Sequence, residues 1–183
     1  MKHEIAILLA DGFEEMEALA PADIWRRLGL NVKIAGVTGK TVTSSRGIPV
    51  VADVMISDLN PETLQLVYLP GGLPGSTNLR DDSRVIELIR TVHGDNGFLG
   101  AICAAPIVLA KAGLSAGRRI TGYPTTENGV DGLVYTGELT EDSGDRILTG
   151  KGPGAAIPLA FRIAAALGIP EETLTNLKQG MFL

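Results

Sequence analysis

Cysteine is nearly absent from this chain: Cys103 is the only one in 183 residues, and two histidines, His3 and His93, are its only histidines. One cysteine excludes an intramolecular disulfide, and with two scattered histidines it supplies no ligand cluster for structural zinc. No metal or other cofactor is therefore expected. A basic surplus is lacking too, since 16 Lys and Arg stand against 21 Asp and Glu, a formal net charge of -5. Phosphate backbones are held by concentrated positive charge, so strong nucleic-acid binding is not expected, and Arg26-Arg27 and Arg118-Arg119 read as solvated pairs. No run approaches the ~20 apolar residues of a membrane span, and the first residues lack the pattern of a secretory signal. A soluble cytoplasmic protein, off the membrane, is the expectation.

What is present is enough apolar material, 45% of residues, for one full core over residues 1–183. Residues 4–9 form a nearly unbroken apolar run, as in a strand buried on both faces of a parallel sheet. Met16, Leu19, Ala20, Ile24 and Leu28 then recur at helical spacing, and Gly29 stands where a C-terminal cap belongs. Residues 31–35 read as a second strand. Between 36 and 53 turn residues crowd, and the short runs 41–43 and 49–54 predict small antiparallel additions. Residues 66–69 predict another strand, followed by the glycine-rich 70–75, and Val85, Leu88, Ile89 and Val92 a helical face. Strands are expected at 119–121, 133–135 and 146–149, and helices from 155 to 167 and from 170 onward. Alternating strands and helices predict an α/β, doubly wound, mostly parallel sheet with helices on both faces, whose functional groups gather beyond the carboxyl ends of the strands.

That rule brings residues 11–17, 70–75 and Cys103 into one crevice. Cys103 ends the apolar run 98–102 and precedes a helical pattern that Pro106 suits as a first-turn residue. Ala101 and Ala105 give it the small neighbours that a sharp nucleophile elbow requires. A helix opening at 104–106 would favour its thiolate through the dipole; the bland alternative is a small buried hydrophobe. Helical spacing turns Glu17 toward the buried stripe, whereas Glu14 and Glu15 suffice as N-terminal helix charge. A carboxyl in a dry crevice beside sulfur has its pKa raised and can donate a hydrogen bond to it. The N–H groups of Gly72 and Ala104 are candidate oxyanion donors, and a plain tight turn is the other reading of the glycine pair.

Four segments, Asp-Gly-Phe-Glu-Glu-Met-Glu (11–17), Leu-Pro-Gly-Gly (69–72), Ala-Ile-Cys-Ala-Ala-Pro (101–106) and Gly-Pro-Gly (152–154), resemble the ThiJ/PfpI superfamily over essentially the whole chain. The resemblance is to its parkinsonism-associated deglycase (DJ-one) branch, which includes bacterial YajL-like proteins. It implies a single class I glutamine amidotransferase-like domain of flavodoxin-like fold and a homodimer. It also implies an elbow cysteine, Cys103, readily oxidised to a sulfinate held by protonated Glu17, with Gly72 and Ala104 supplying N–H groups. Arg27 and Arg46 match arginines near a dimer-side anion pocket; ordinary surface charge is the alternative.

The resemblance implies glutathione-independent glyoxalase or deglycase activity on small dicarbonyls such as methylglyoxal, or on their glycated adducts, through Cys103 with Glu17 as proton carrier. Its other implication is a redox sensor or chaperone with little turnover. Some members of the branch carry a histidine where this chain has Tyr123, which can at most donate a hydrogen bond. Ala104 replaces the histidine that follows the cysteine in the protease branch, which argues against peptidase or amidotransferase chemistry. A flavin site is disfavoured because acidic residues 11–17 would repel phosphate.

Overall fold

The computed structural model describes residues 3–126, 128, 130 and 132–183. Its strands are β1 (Glu4–Leu9), β2 (Asn31–Gly36), β3 (Thr41–Thr43), β4 (Pro49–Val51), β5 (Val54–Met55), β6 (Leu64–Leu69), β7 (Phe98–Ile102), β8 (Arg119–Ile120), β9 (Val134–Tyr135), β10 (Thr140–Asp142) and β11 (Ile147–Gly150). Its α-helices are α1 (Glu15–Arg27), α2 (Gly75–Asp81), α3 (Ser83–Gly94), α4 (Pro106–Lys111), α5 (Ala156–Ala166) and α6 (Glu171–Gly180). Seven strands form the central sheet in the order β10-β11-β7-β6-β1-β2-β5. All neighbours run parallel except β10, which turns back antiparallel on β11. The expected antiparallel addition is the β3–β4 hairpin.

One face of the sheet packs Ile5, Ile7, Leu66 and Tyr68 against α1, α5 and α6; the other packs Leu8, Val67, Leu69 and Leu99 against α2, α3 and α4. Central strands with both faces covered carry no polar alternation, and this is why 4–9 reads as a continuous apolar run. The architecture is α/β and flavodoxin-like, as the sequence predicts.

The orientation of α1 differs from the sequence reading. Met16 is 59% exposed, while Glu17, Ala18, Pro21, Ile24 and Trp25 are buried. Trp25 sets that face: its indole N–H donates to the Ala160 carbonyl at 2.9 Å, and its ring meets Tyr68 edge-on at 5.2 Å. Burying the largest side chain while satisfying its single donor outweighs burying an unbranched Met.

Register positions the site. Leu69 pairs with Ala101, and Gly150 with Ile102, so β6, β7 and β11 finish side by side. The turns that leave them meet at one edge.

Candidate functional site

Cys103 occupies the left-handed region, φ 60°. For a non-glycine residue this conformation costs about 1–2 kcal/mol. It is held from both neighbours: its N–H donates to the Gly150 carbonyl at 2.9 Å, and its carbonyl accepts the Tyr123 N–H at 2.8 Å. Three residues later the chain enters α4 at Pro106, as an elbow requires.

Glu17 enters from α1. The Glu14 side chain caps the helix by accepting the Glu17 N–H at 2.8 Å, and the Glu14 N–H donates to the Gly71 carbonyl at 2.9 Å, tying the helix start to the glycine loop. The Glu17 side chain is fully buried, and its Oε2 accepts the Gly71 N–H at 2.8 Å. Its Oε1 is buried, with no N–H or O–H donor among the described residues. The Cys103 thiol, which interacts with this carboxyl, is the group left to engage it.

The fit is close enough to require Gly71. A Cβ on Gly71 would lie 2.4 Å from Glu17 Oε2 and 2.6 Å from Cys103 Cβ. Gly72, at φ 89°, would set a Cβ 2.5 Å from the Glu14 nitrogen. Both glycines are therefore steric requirements of a site where two loops touch.

Electrostatics follow from burial. Loss of water raises the Glu17 carboxyl to about 7; the negative charge of Glu14 adds to this, and bonds with Cys103 and Gly71 oppose it. Burial pushes the Cys103 thiol up to about 12, helped by the Glu17 charge and hydrogen bond and opposed by the N–H groups of Gly72 and Ala104. The backbone donors that would favour a thiolate, the N–H groups of Gly72 and Ala104, are thus set against burial and the Glu17 carboxyl. Burial beside a carboxyl outweighs two backbone donors and a helix of six residues. Both shifts favour the protonated, uncharged forms of the pair.

Tyr123 adjoins Cys103 through the backbone while its side chain is 56% exposed. Arg27 pairs with Asp23 at 2.8 Å on the surface of α1. Arg46 follows Ser45, whose hydroxyl donates to Glu15 at 3.4 Å beside the start of α1. Arg27 stands in the last turn of α1, about 18 Å along the helix from Glu15 at 1.5 Å per residue. Sequence reasoning assigned a role to Gly72 and missed Gly71, whose N–H holds Glu17; the pair of adjacent glycines was the signal available. Tyr68, which it did not single out, is wholly buried, with no partner for its hydroxyl among the described residues and a pKa raised well above normal by burial and by Glu17.

A cysteine elbow facing a buried glutamate across a Gly-Gly turn invites comparison with known families. The model of the DJ-1/PfpI family matches residues 3–166. The chain belongs to the DJ-1/PfpI family. Among its DJ-1 relatives, protein dj-1beta of Drosophila melanogaster is 36% identical over 174 residues, covering 94% of this chain and 93% of that one. A protein of Caenorhabditis elegans named glutathione-independent glyoxalase DJR-1.2 is 33% identical, covering 97% of this chain and 95% of that one. The crystal structure of Drosophila melanogaster DJ-1beta superposes with a TM-score of 0.93 at 33% identity, over 100% of this chain and 99% of that one. Among the described residues of this DJ-1/PfpI chain, no cluster of three or more His, Cys, Asp or Glu could hold a metal, and no helix is long and apolar enough to cross a membrane.

Proposed function

We propose that this chain is a glutathione-independent glyoxalase and deglycase, acting on methylglyoxal or its adducts through Cys103 with Glu17 as the proton carrier. The observation that carries the reading is the buried Glu17 carboxyl, poised near 7 against the thiol. A general base works best with a pKa near the working pH. The relative named as a glyoxalase supports the same reading.

Glu17 takes the thiol proton as Sγ bonds to the aldehyde carbon, and the proton passes to the carbonyl oxygen to give a hemithioacetal. The N–H groups of Gly72 and Ala104 hold the oxygen as its charge develops. Glu17 then moves the hydrogen of the former aldehyde carbon to the neighbouring carbonyl carbon as a proton. The first carbon rises to the acyl level and the second falls to an alcohol, so no outside oxidant is required. Water cleaves the resulting S-lactoyl thioester, giving lactate and restoring the thiol. With an aminocarbinol adduct, sulfur displaces the amine at the carbinol carbon, the amine leaving with the thiol proton, and the hemithioacetal so formed passes to the thioester by the same proton transfer. Tyr123 serves at most as a hydrogen-bond donor at the rim.

The second reading is a redox sensor or chaperone. It is favoured by two N–H donors already aimed at sulfur, which would hold sulfinate oxygens after two peroxide molecules each transfer one oxygen and leave as water. We further read the chain as one domain and a cytoplasmic homodimer, with exposed Met16 and Val51 available to a second copy. An anion pocket built from Arg27 and Arg46 would lie on that side of the chain.

The test is lactate formation from methylglyoxal without glutathione by the reduced wild type and Cys103→Ala. Activity lost in the variant supports the enzyme. Equal inactivity, with selective gain of two oxygens at Cys103 under peroxide, supports the sensor.

A further inference from the structure

Strand β6 ends in an apolar run broken by one hydroxyl. Tyr68 follows Leu66 and Val67 and precedes Leu69, all fully buried, and its side chain enters the layer between the sheet and α1. Trp25 meets its ring edge-on at 5.2 Å. The ring lies over Gly100, its register partner on β7, where a Cβ would come 2.5 Å from Cδ2. Its register partner on β1 is Ile7, and α5 brings Ile163 to the same glycine. Inside this packing the hydroxyl finds no hydrogen-bond partner among the described residues. A buried hydroxyl left unpaired lowers stability, and a phenylalanine would fill the same space without that penalty.

A group able to use the hydroxyl sits beyond the end of the same strand. Three residues past Tyr68, the Gly71 N–H holds Glu17 Oε2, while Oε1 meets no N–H or O–H donor among the described residues. Burial, then the charges of Glu17, Cys103 and Glu14, keep the phenol protonated. It therefore faces Glu14 and Glu17 from α1, Cys103 from the elbow after β7, Ile7 from β1 and Ile163 from α5. The Trp25 N–H is already spent on the Ala160 carbonyl. The Tyr68 O–H, tied to nothing, can rotate to suit a new charge.

We propose that Tyr68 is a positioning residue for the Glu17–Cys103 pair, its unpaired O–H turning toward the Glu17 carboxylate when that group ionises and stabilising the charged form. The inference deepens the reading of Glu17 as proton carrier and rests on it for its catalytic consequence. A hydroxyl dipole in a dry layer acts strongly on a nearby charge, because little water screens it. Tyr68 thereby eases the ionisation that burial opposes. No proton leaves the phenol, which stays a donor throughout.

The test titrates Glu17 itself, without turnover, by carbon NMR of protein labelled at the glutamate carboxyl carbons. The Glu17 resonance is the one lost in Glu17→Gln. In the wild type its inflection is expected at about 7. In Tyr68→Phe, which keeps the ring and removes the hydroxyl, it should rise by about one unit, the size of a contact to a charged group. In Trp25→Phe, which disturbs the ring's packing and keeps the hydroxyl, it should not rise. An inflection unmoved or lowered in Tyr68→Phe, or raised equally in both variants, overturns the proposal. Lactate formation separates this outcome from the enzymatic reading. A raised inflection in a protein that forms no lactate keeps the role of Tyr68 and loses the glyoxalase. Lactate formation with an unmoved inflection keeps the enzyme and loses the role of Tyr68.

Discussion

The two ends of β7 use the same conformational device to opposite effect. At the carboxyl end Cys103 stands at φ 60°; at the amino end Arg146, whose carbonyl accepts the Leu99 N–H, stands at φ 57°. Beside Arg146 the Asp145 carboxylate receives Arg118 at 2.5 Å, with His93 at 3.6 Å and Arg146 at 3.9 Å. The Arg118 guanidinium, then the charges of His93 and Arg146, hold that carboxyl below its usual range. The His93 ring N–H donates to the Asp145 carbonyl at 3.0 Å. Asp145 is wet, its side chain 41% exposed, whereas Glu17 is fully buried, with one oxygen that meets no N–H or O–H donor among the described residues. Paired charge in water gives modest stability, while a carboxyl in a dry crevice, held by one backbone N–H and a thiol, gives a group ready to take a proton at a cost in stability. Strain alone therefore does not mark the site, since Arg146 carries as much of it as Cys103.

The sharpest way to break the comparison is Gly71→Ala. Its Cβ would displace both Glu17 and Cys103, and misplacing reacting groups by about 1 Å costs on the order of 100-fold in rate. Lactate formation should fall by at least that factor, and a variant with wild-type rates would contradict the close contact.

Next in size is the effect of Glu17→Gln on stability. The folded carboxyl titrates at about 7 against an unfolded value of 4.5. Its contribution is therefore fully present below about 4.5 and lost as the pH rises through 7. The 2.5-unit difference corresponds to about 3 kcal/mol. Glutamine, which keeps an acceptor for the Gly71 N–H, should make the protein more stable than wild type by up to that amount at pH 8, and by little at pH 4.5. Urea melts at both pH values check this.

Asp145→Asn should do the reverse on a smaller scale. Its lowered carboxyl contributes stability above the ordinary carboxylate range that is lost as the pH falls through its folded value. Because this group is well exposed, the loss at pH 7 should be under about 1 kcal/mol. Lactate formation should stay within about twofold of wild type, because Asp145 lies at the far end of β7 from the thiol.

Much of this contrast is written in local pattern. The elbow is legible because small residues flank one cysteine, and the end of α1 because Gly29 follows an apolar period. Glu17 is legible as an inward acid with a raised pKa, since helical spacing and burial suffice for that inference. The rest depends on which neighbour wins in three dimensions. Nothing in the spacing says that Trp25 rather than Met16 sets the buried face of α1, because that choice is made by Ala160 and Tyr68, distant in sequence. The direction of the thiol's pKa is hidden for the same reason: dipole, burial and a neighbouring carboxyl compete, and only packing weighs them. That the hairpin packs beside the start of α1, Ser44 and Ser45 reaching Glu15, appears only once the fold is seen.

The central claim is that Glu17 moves the proton for Cys103, and the dependence of lactate formation on pH tests it most directly. The wild-type rate should rise with pH to a plateau with an inflection near 7, as the Glu17 carboxyl ionises. Glu17→Gln should fall on the order of 100-fold or more and lose that inflection. The same inflection in both proteins, or a variant as fast as wild type, would contradict the account.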